Sequence, residues 1–145
     1  MMYVFLDPGE STGWMVVDSR GEKSCGVLEK ATHVEVWKWL YETIGLANGC
    51  LGPQLCTIVY EGFHLFGSHK NVMVGDSFYT CEIIGVIKLF AEKYGLIIKE
   101  QMPSDKKYAG KLEEDYKKYK TDSTQHSKDA WLHYQFFKRR HKLDI

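Results

Sequence analysis

The sequence has no net charge: 19 Lys and Arg balance 19 Asp and Glu over 145 residues. That balance speaks against bulk coating of nucleic acid and against a disordered acidic or basic tail protein. Nor is there an apolar run approaching the ~20 residues that a membrane span needs, so no membrane partner is expected. Met1–Leu6 meets Asp7-Pro8-Gly9 without a basic leader or an adequate apolar stretch, so no signal peptide is expected. Cys25, Cys50, Cys56 and Cys81 form no C-x-x-C pair. Reduced thiols in an intracellular core are the expectation, rather than a disulfide framework or a zinc site. Repeats, low-complexity tracts and linkers are also missing, and the length suits one compact domain over 1–145.

What is present is unevenly spread. Residues 1–70 carry 5 basic and 8 acidic side chains, whereas residues 71–145 carry 14 and 11. The second half can therefore offer a local basic surface to a phosphate backbone. Residues 3–6 read as a strand ended by Asp-Pro-Gly, 14–18 as a second and 23–30 as a third, an antiparallel meander. Thr32 and Glu35 have capping-box spacing before a helix over about 33–46. Cys56–Glu61 reads as a short buried strand, and 96–100 as a last one. A long helix is predicted over 72–94. Its apolar residues cover a stripe wider than one core contact needs, with Phe78 and Leu89 outside it, so a second packing partner is expected. A helix is expected around 111–119 in the Lys-rich stretch. A final helix, capped by Ser127, turns Ala130, Tyr134 and Phe137 inward.

The order β-β-β-α-β-α-β-α lets the fourth strand return parallel beside the first. Asp7 ends one of these strands and Glu61 the other, so two carboxylates meet at the carboxyl edge of the sheet. Such anions repel unless a cation sits between them, and oxygen ligands suit Mg²⁺ or Mn²⁺. His126 and Asp129, three apart, project from one face at the start of the last helix. Two metals about 3.5–4 Å apart in this cluster would activate a water and stabilise the leaving oxygen of a phosphodiester. Each residue also has an ordinary reading, as turn, strand end, dipole partner or surface imidazole. Three independent chain segments must agree for the cluster to form.

Val4-Phe5-Leu6-Asp7-Pro8-Gly9 with Thr12-Gly13-Trp14, then Val59-Tyr60-Glu61, then His126-Ser127-Lys128-Asp129-Ala130, resembles the RuvC-type Holliday junction resolvases of the RNase H-like superfamily, compact phage-encoded members most of all. The resemblance spans nearly the whole chain. It implies an α/β fold with a mixed five-stranded sheet flanked by helices, and two Mg²⁺ ions per site (Mn²⁺ substituting) held by Asp7, Glu61, His126 and Asp129. It further implies a homodimer built on the long helix through Ile83, Val86, Ile87 and Phe90. Pro103 followed by Lys107 resembles a segment whose Lys contacts phosphate, with Lys106 and Lys111 as further DNA-binding candidates. An aromatic just after the Glu would wedge into the junction; Phe63 and Phe66 are available, although His64 stands at the matching position. The implied activity is hydrolysis of branched DNA (four-way junctions, forks or flaps) inside the cell, or inside a host cell if virus-encoded. Two competitors are a non-catalytic nucleic-acid-binding relative and an actin/hexokinase-type ATPase. The first would lose metal ligands, and the second would need another lobe and another phosphate loop.

Overall fold

The computed structural model describes residues 1–45, 56–63, 76–120 and 124–145. Three strands open the chain, β1 (Met2–Asp7), β2 (Thr12–Val17) and β3 (Lys23–Leu28), followed by α1 (His33–Thr43) and β4 (Cys56–Glu61). Next come α2 (Asp76–Tyr94), β5 (Ile97–Gln101), a 3₁₀ helix (Pro103–Tyr108), α3 (Asp115–Tyr119) and α4 (Gln125–His141). The strands form a five-stranded sheet in the order β3-β2-β1-β4-β5. Its first three strands are the expected antiparallel meander, and β4 and β5 continue it in parallel with β1.

Side chains alternate between the faces of a strand, so the sheet has two cores. Val4, Leu6, Val16, Ile58 and Tyr60 pack with Val36 and Leu40 of α1 and with Ile83, Ile87 and Phe90 of α2. Tyr3, Phe5, Met15, Val17 and Val59 point the other way, against Ala130, Trp131, Tyr134 and Phe137 of α4. The same parity puts Asp7 and Glu61 on the α4 face, at the carboxyl ends of their strands.

Helix α1 begins as its spacing predicts. The Glu35 N–H donates to the Thr32 hydroxyl at 3.3 Å, and the Thr32 N–H donates to the Glu35 carboxylate at 2.7 Å. Helix α4 begins otherwise. Its cap is Thr124, whose hydroxyl accepts from the Ser127 N–H at 3.4 Å. Ser127 lies three residues inside, where its hydroxyl donates to the Thr124 carbonyl and meets the Tyr116 hydroxyl at 3.0 Å. Helix α3 is shorter than expected, and the 3₁₀ helix opening on Pro103 was not foreseen. The first four residues of the predicted long helix, 72–75, lie outside the described residues.

The wide apolar stripe of α2 finds its second partner within the chain. Trp37 of α1 packs edge-on to Phe90 at 4.9 Å, and Tyr41 reaches Tyr94 at 6.0 Å. Ile83, Ile87 and Phe90 are fully buried and Val86 is partly so. Ile83, Ile87 and Phe90 therefore cannot serve as the dimer face the resemblance implies, because their surface is already spent on the sheet and α1, whereas Val86 keeps part of its surface exposed. The large apolar residues that stand most exposed on α2 are Phe78 and Leu89. They stand eleven residues apart, about three turns, and so share one face.

Candidate active site

The parallel register of β1 and β4 pairs Leu6 with Tyr60, which sets Asp7 beside Glu61. Antiparallel pairing sets Gly13 of β2 opposite Asp7 on its other side. A Cβ at Gly13 would overlap the carbonyl group of His126. Glycine here is what lets the first turn of α4 come down onto the sheet edge. His126 then reaches Asp7, with Nδ1 3.2 Å from Oδ2. Asp129, one turn on, accepts from the Gln125 amide at 2.6 Å through Oδ1.

The fourth element to enter is the 3₁₀ helix. Asp105 accepts from the Met102 N–H at 2.9 Å and fixes its start. Lys106 is thereby carried inward, its ammonium 2.7 Å from Glu61 Oε2 and 3.1 Å from Asp129 Oδ2. A surface phosphate contact was expected of this residue; its amine instead lies among the carboxylates.

Charges in this crevice divide unequally. Burial, reinforced by the neighbouring Glu61 charge, pushes the Asp7 carboxyl up to about 6. Burial also works against ionised Glu61, but hydrogen bonds from His133 and Lys106 overcome it and hold that carboxyl below its ordinary value. The Lys106 ammonium is likewise disfavoured by burial, yet Glu61, Asp7 and Asp129 together raise its pKa. Asp7 therefore bears the repulsion that Glu61 avoids.

With this geometry, the chain can be set against known structures. Thermus thermophilus RuvC in complex with a Holliday junction substrate aligns over 97% of this chain and 96% of its own, at 14% identity and a TM-score of 0.59. A second Thermus thermophilus RuvC structure aligns over 97% of both chains at 15% identity and a TM-score of 0.55. The fold is RuvC-like. No protein-family model and no curated protein matches the sequence.

Within this RuvC-like frame, Asp7, Glu61, His126 and Asp129 come together from β1, β4 and α4. Among the described residues, no three of His, Cys, Asp and Glu stand close enough to hold a metal ion as placed. The donor chemistry nevertheless fits a hard divalent cation. Three carboxylates face one crevice, one of them with its pKa raised by burial and by the Glu61 charge, and an ammonium already lies between the other two. Lys107 and Lys111 are exposed, outside the cluster. Phe63 is half-buried against the α2 core, while His64 and Phe66 lie outside the described residues. No helix among the described residues is long and apolar enough to cross a membrane.

Two residues of the cluster escaped the sequence reading. His133 Nε2 lies 2.6 Å from Glu61 Oε2, and its Nδ1 lies 2.6 Å from Gln101 Oε1. The signal for His133 was present: it stands seven after His126 and four after Asp129, on the same helix face. Gln101 carried none until β5 took its place as the partner of β4, pairing Gln101 with Glu61.

Proposed function

We propose that this protein is a metal-dependent endonuclease that hydrolyses phosphodiester bonds in branched DNA, four-way junctions above all. The observation that carries the reading is the convergence of three separate chain segments at one sheet edge, Lys106 joining Glu61 to Asp129 while His126 of the same helix as Asp129 reaches Asp7. The likeness to a RuvC in complex with a Holliday junction substrate supports the choice of DNA structure.

In this reading Asp7, Glu61, Asp129 and His126 hold two Mg²⁺ or Mn²⁺ ions. Bound there, such ions would supply an activated water and charge stabilisation for the leaving oxygen. Asp7, the carboxylate least satisfied without metal, gains most from a cation. Lys106 must yield its place between Glu61 and Asp129, and its ammonium is then free to turn to a phosphate of the substrate. Lys107 and Lys111 add contacts to the DNA backbone from the surface of the same segment. In-line hydrolysis should leave a 5′-phosphate and a 3′-hydroxyl, as the resemblance implies. Two copies associating through α2 would present two sites to the opposed strands of a symmetric junction.

The test is incubation of the purified protein with labelled linear, forked and four-way DNA, with and without Mg²⁺. Mg²⁺-dependent nicks in branched DNA, abolished by Asp7→Asn, are expected. A second reading is a branched-DNA-binding module without catalysis. It is favoured by one observation: Lys106 already neutralises Glu61 and Asp129. Tight junction binding with no cleavage in Mg²⁺ or Mn²⁺ would establish that reading and remove the first.

A further inference from the structure

His133 is fully buried, yet both its ring nitrogens meet polar groups that belong to the candidate site. An ionised carboxylate can only accept hydrogen bonds, so the nitrogen facing Glu61 must carry a proton. That fixes Nε2–H as donor to Glu61 Oε2 at 2.6 Å. In a neutral ring Nδ1 is then an acceptor, and the Gln101 amide satisfies it by presenting its NH₂ group. The oxygen and nitrogen of that amide occupy the same shape, so the exchange moves no heavy atom. In a charged ring Nδ1–H donates to the Gln101 oxygen as placed. Both states leave Nε2–H on Glu61.

The three groups come from three elements and close on one another. Gln101 is buried on β5 and pairs across the ladder with Glu61 on β4; His133 descends from α4 onto both. The terminal torsion of a Glu is broad, and a carboxylate held at one point can swivel. Glu61 Oε2 is now shared by His133 and Lys106. When Lys106 turns to a substrate phosphate, His133 is the hydrogen bond that stays.

We infer that His133 is a positioning residue for Glu61, anchoring Oε2 so that the carboxylate keeps its aim when Lys106 departs, with Gln101 fixing the ring in turn. The inference rests on the nuclease reading above and adds residues that reading does not require. A buried histidine more often serves packing alone, so the measurements must separate the two roles.

His133→Leu keeps apolar bulk and removes the donor. His133→Gln extends about as far as Nε2 and restores an N–H. For His133→Leu, kcat on a four-way junction should fall by about 10–100-fold, the usual cost of losing a group that orients a metal ligand, with KM within about twofold of wild type. Mn²⁺ affinity, read by electron paramagnetic resonance without DNA, should fall by a similar factor. Junction affinity in EDTA should not change. His133→Gln should recover most of both losses. If His133→Leu is folded and matches wild type in kcat and Mn²⁺ affinity, or if the Gln variant is as impaired as the Leu variant, the positioning role is wrong. Should His133→Leu fail to fold, Gln101→Leu removes the far end of the chain of bonds; a smaller loss in the same two measurements is expected, and none overturns the inference. A wild type that neither cleaves nor binds Mn²⁺ overturns the nuclease reading itself, and the inference with it.

Discussion

Asp7 is the member of the cluster whose environment can be turned into a number. Its carboxyl titrates near 6 against an ordinary 3.8, through burial and the adjacent Glu61 charge. The folded state therefore holds this proton more tightly than the unfolded chain does. Stability falls as pH rises through the window from about 4 to 6, and the loss is complete above it. At 1.36 kcal/mol per pH unit, a shift of about 2 units places roughly 3 kcal/mol of strain on ionised Asp7 at pH 7.5. Asp7→Asn preserves the shape and removes the charge. In EDTA at pH 7.5 it should raise stability by up to about 3 kcal/mol, or about 6–12 °C in Tm for a domain of this size. At pH 4 folded Asp7 is almost wholly protonated and the unfolded carboxyl is only about half ionised, so the gain should shrink to about 0.5 kcal/mol. Urea unfolding of both proteins at the two pH values, followed by circular dichroism, measures it. A variant no more stable than wild type at pH 7.5, or equally stabilised at both pH values, would refute the reasoning. The same substitution should reduce cleavage by several orders of magnitude while leaving junction affinity at or slightly above wild type. A site strained when empty and active when filled is the pattern expected of ligands gathered for a cation.

Divalent metal should reverse that strain: at 100 Kd, Mg²⁺ or Mn²⁺ adds about 2.7 kcal/mol to the wild type, and a thermal melt should show the gain greatly reduced in Asp7→Asn. Gly13→Ala should push the first turn of α4 off the sheet, costing about 1–3 kcal/mol and abolishing cleavage together; a melt and a nicking assay on one preparation check it. Ile83→Asp buries an unpaired charge in the chain's own core and should unfold the protein, at a cost of about 4 kcal/mol or more. Leu89→Asp should leave the fold intact, and a lower sedimentation coefficient relative to wild type would place that residue in a dimer contact. Lys107→Ala should weaken junction binding and flatten its dependence on log salt concentration by about one unit of slope.

The short apolar, β-prone runs 3–6 and 56–61, one ended by Asp-Pro-Gly and the other by Glu61, were enough to set two carboxylates at one sheet edge, because a right-handed parallel crossover leaves few alternatives. The capping box at Thr32 and Glu35 was legible for a similar reason: the interaction spans one helical turn and needs no tertiary partner. Other features depend on what the chain meets far away. The wide stripe of α2 was visible, but whether a second subunit or another helix covers it depends on where α1 lands, and Trp37 and Tyr41 settle that within the chain. Lys106 looks like any surface lysine in its segment; only the 3₁₀ turn after Pro103 aims it at Glu61 and Asp129. Gln101 is an unremarkable polar residue until β5 sits beside β4 and α4 brings His133 between them. The cap of α4 moved from Ser127 to Thr124, since either hydroxyl can start a helix and the contact of Ser127 with Tyr116 draws it inside. The strand ends legible in the sequence determined which edge of the sheet carries the carboxylates. Tertiary packing decided which cation and which imidazole meet them, because those contacts join residues that lie 23 to 72 positions apart and that no local pattern constrains.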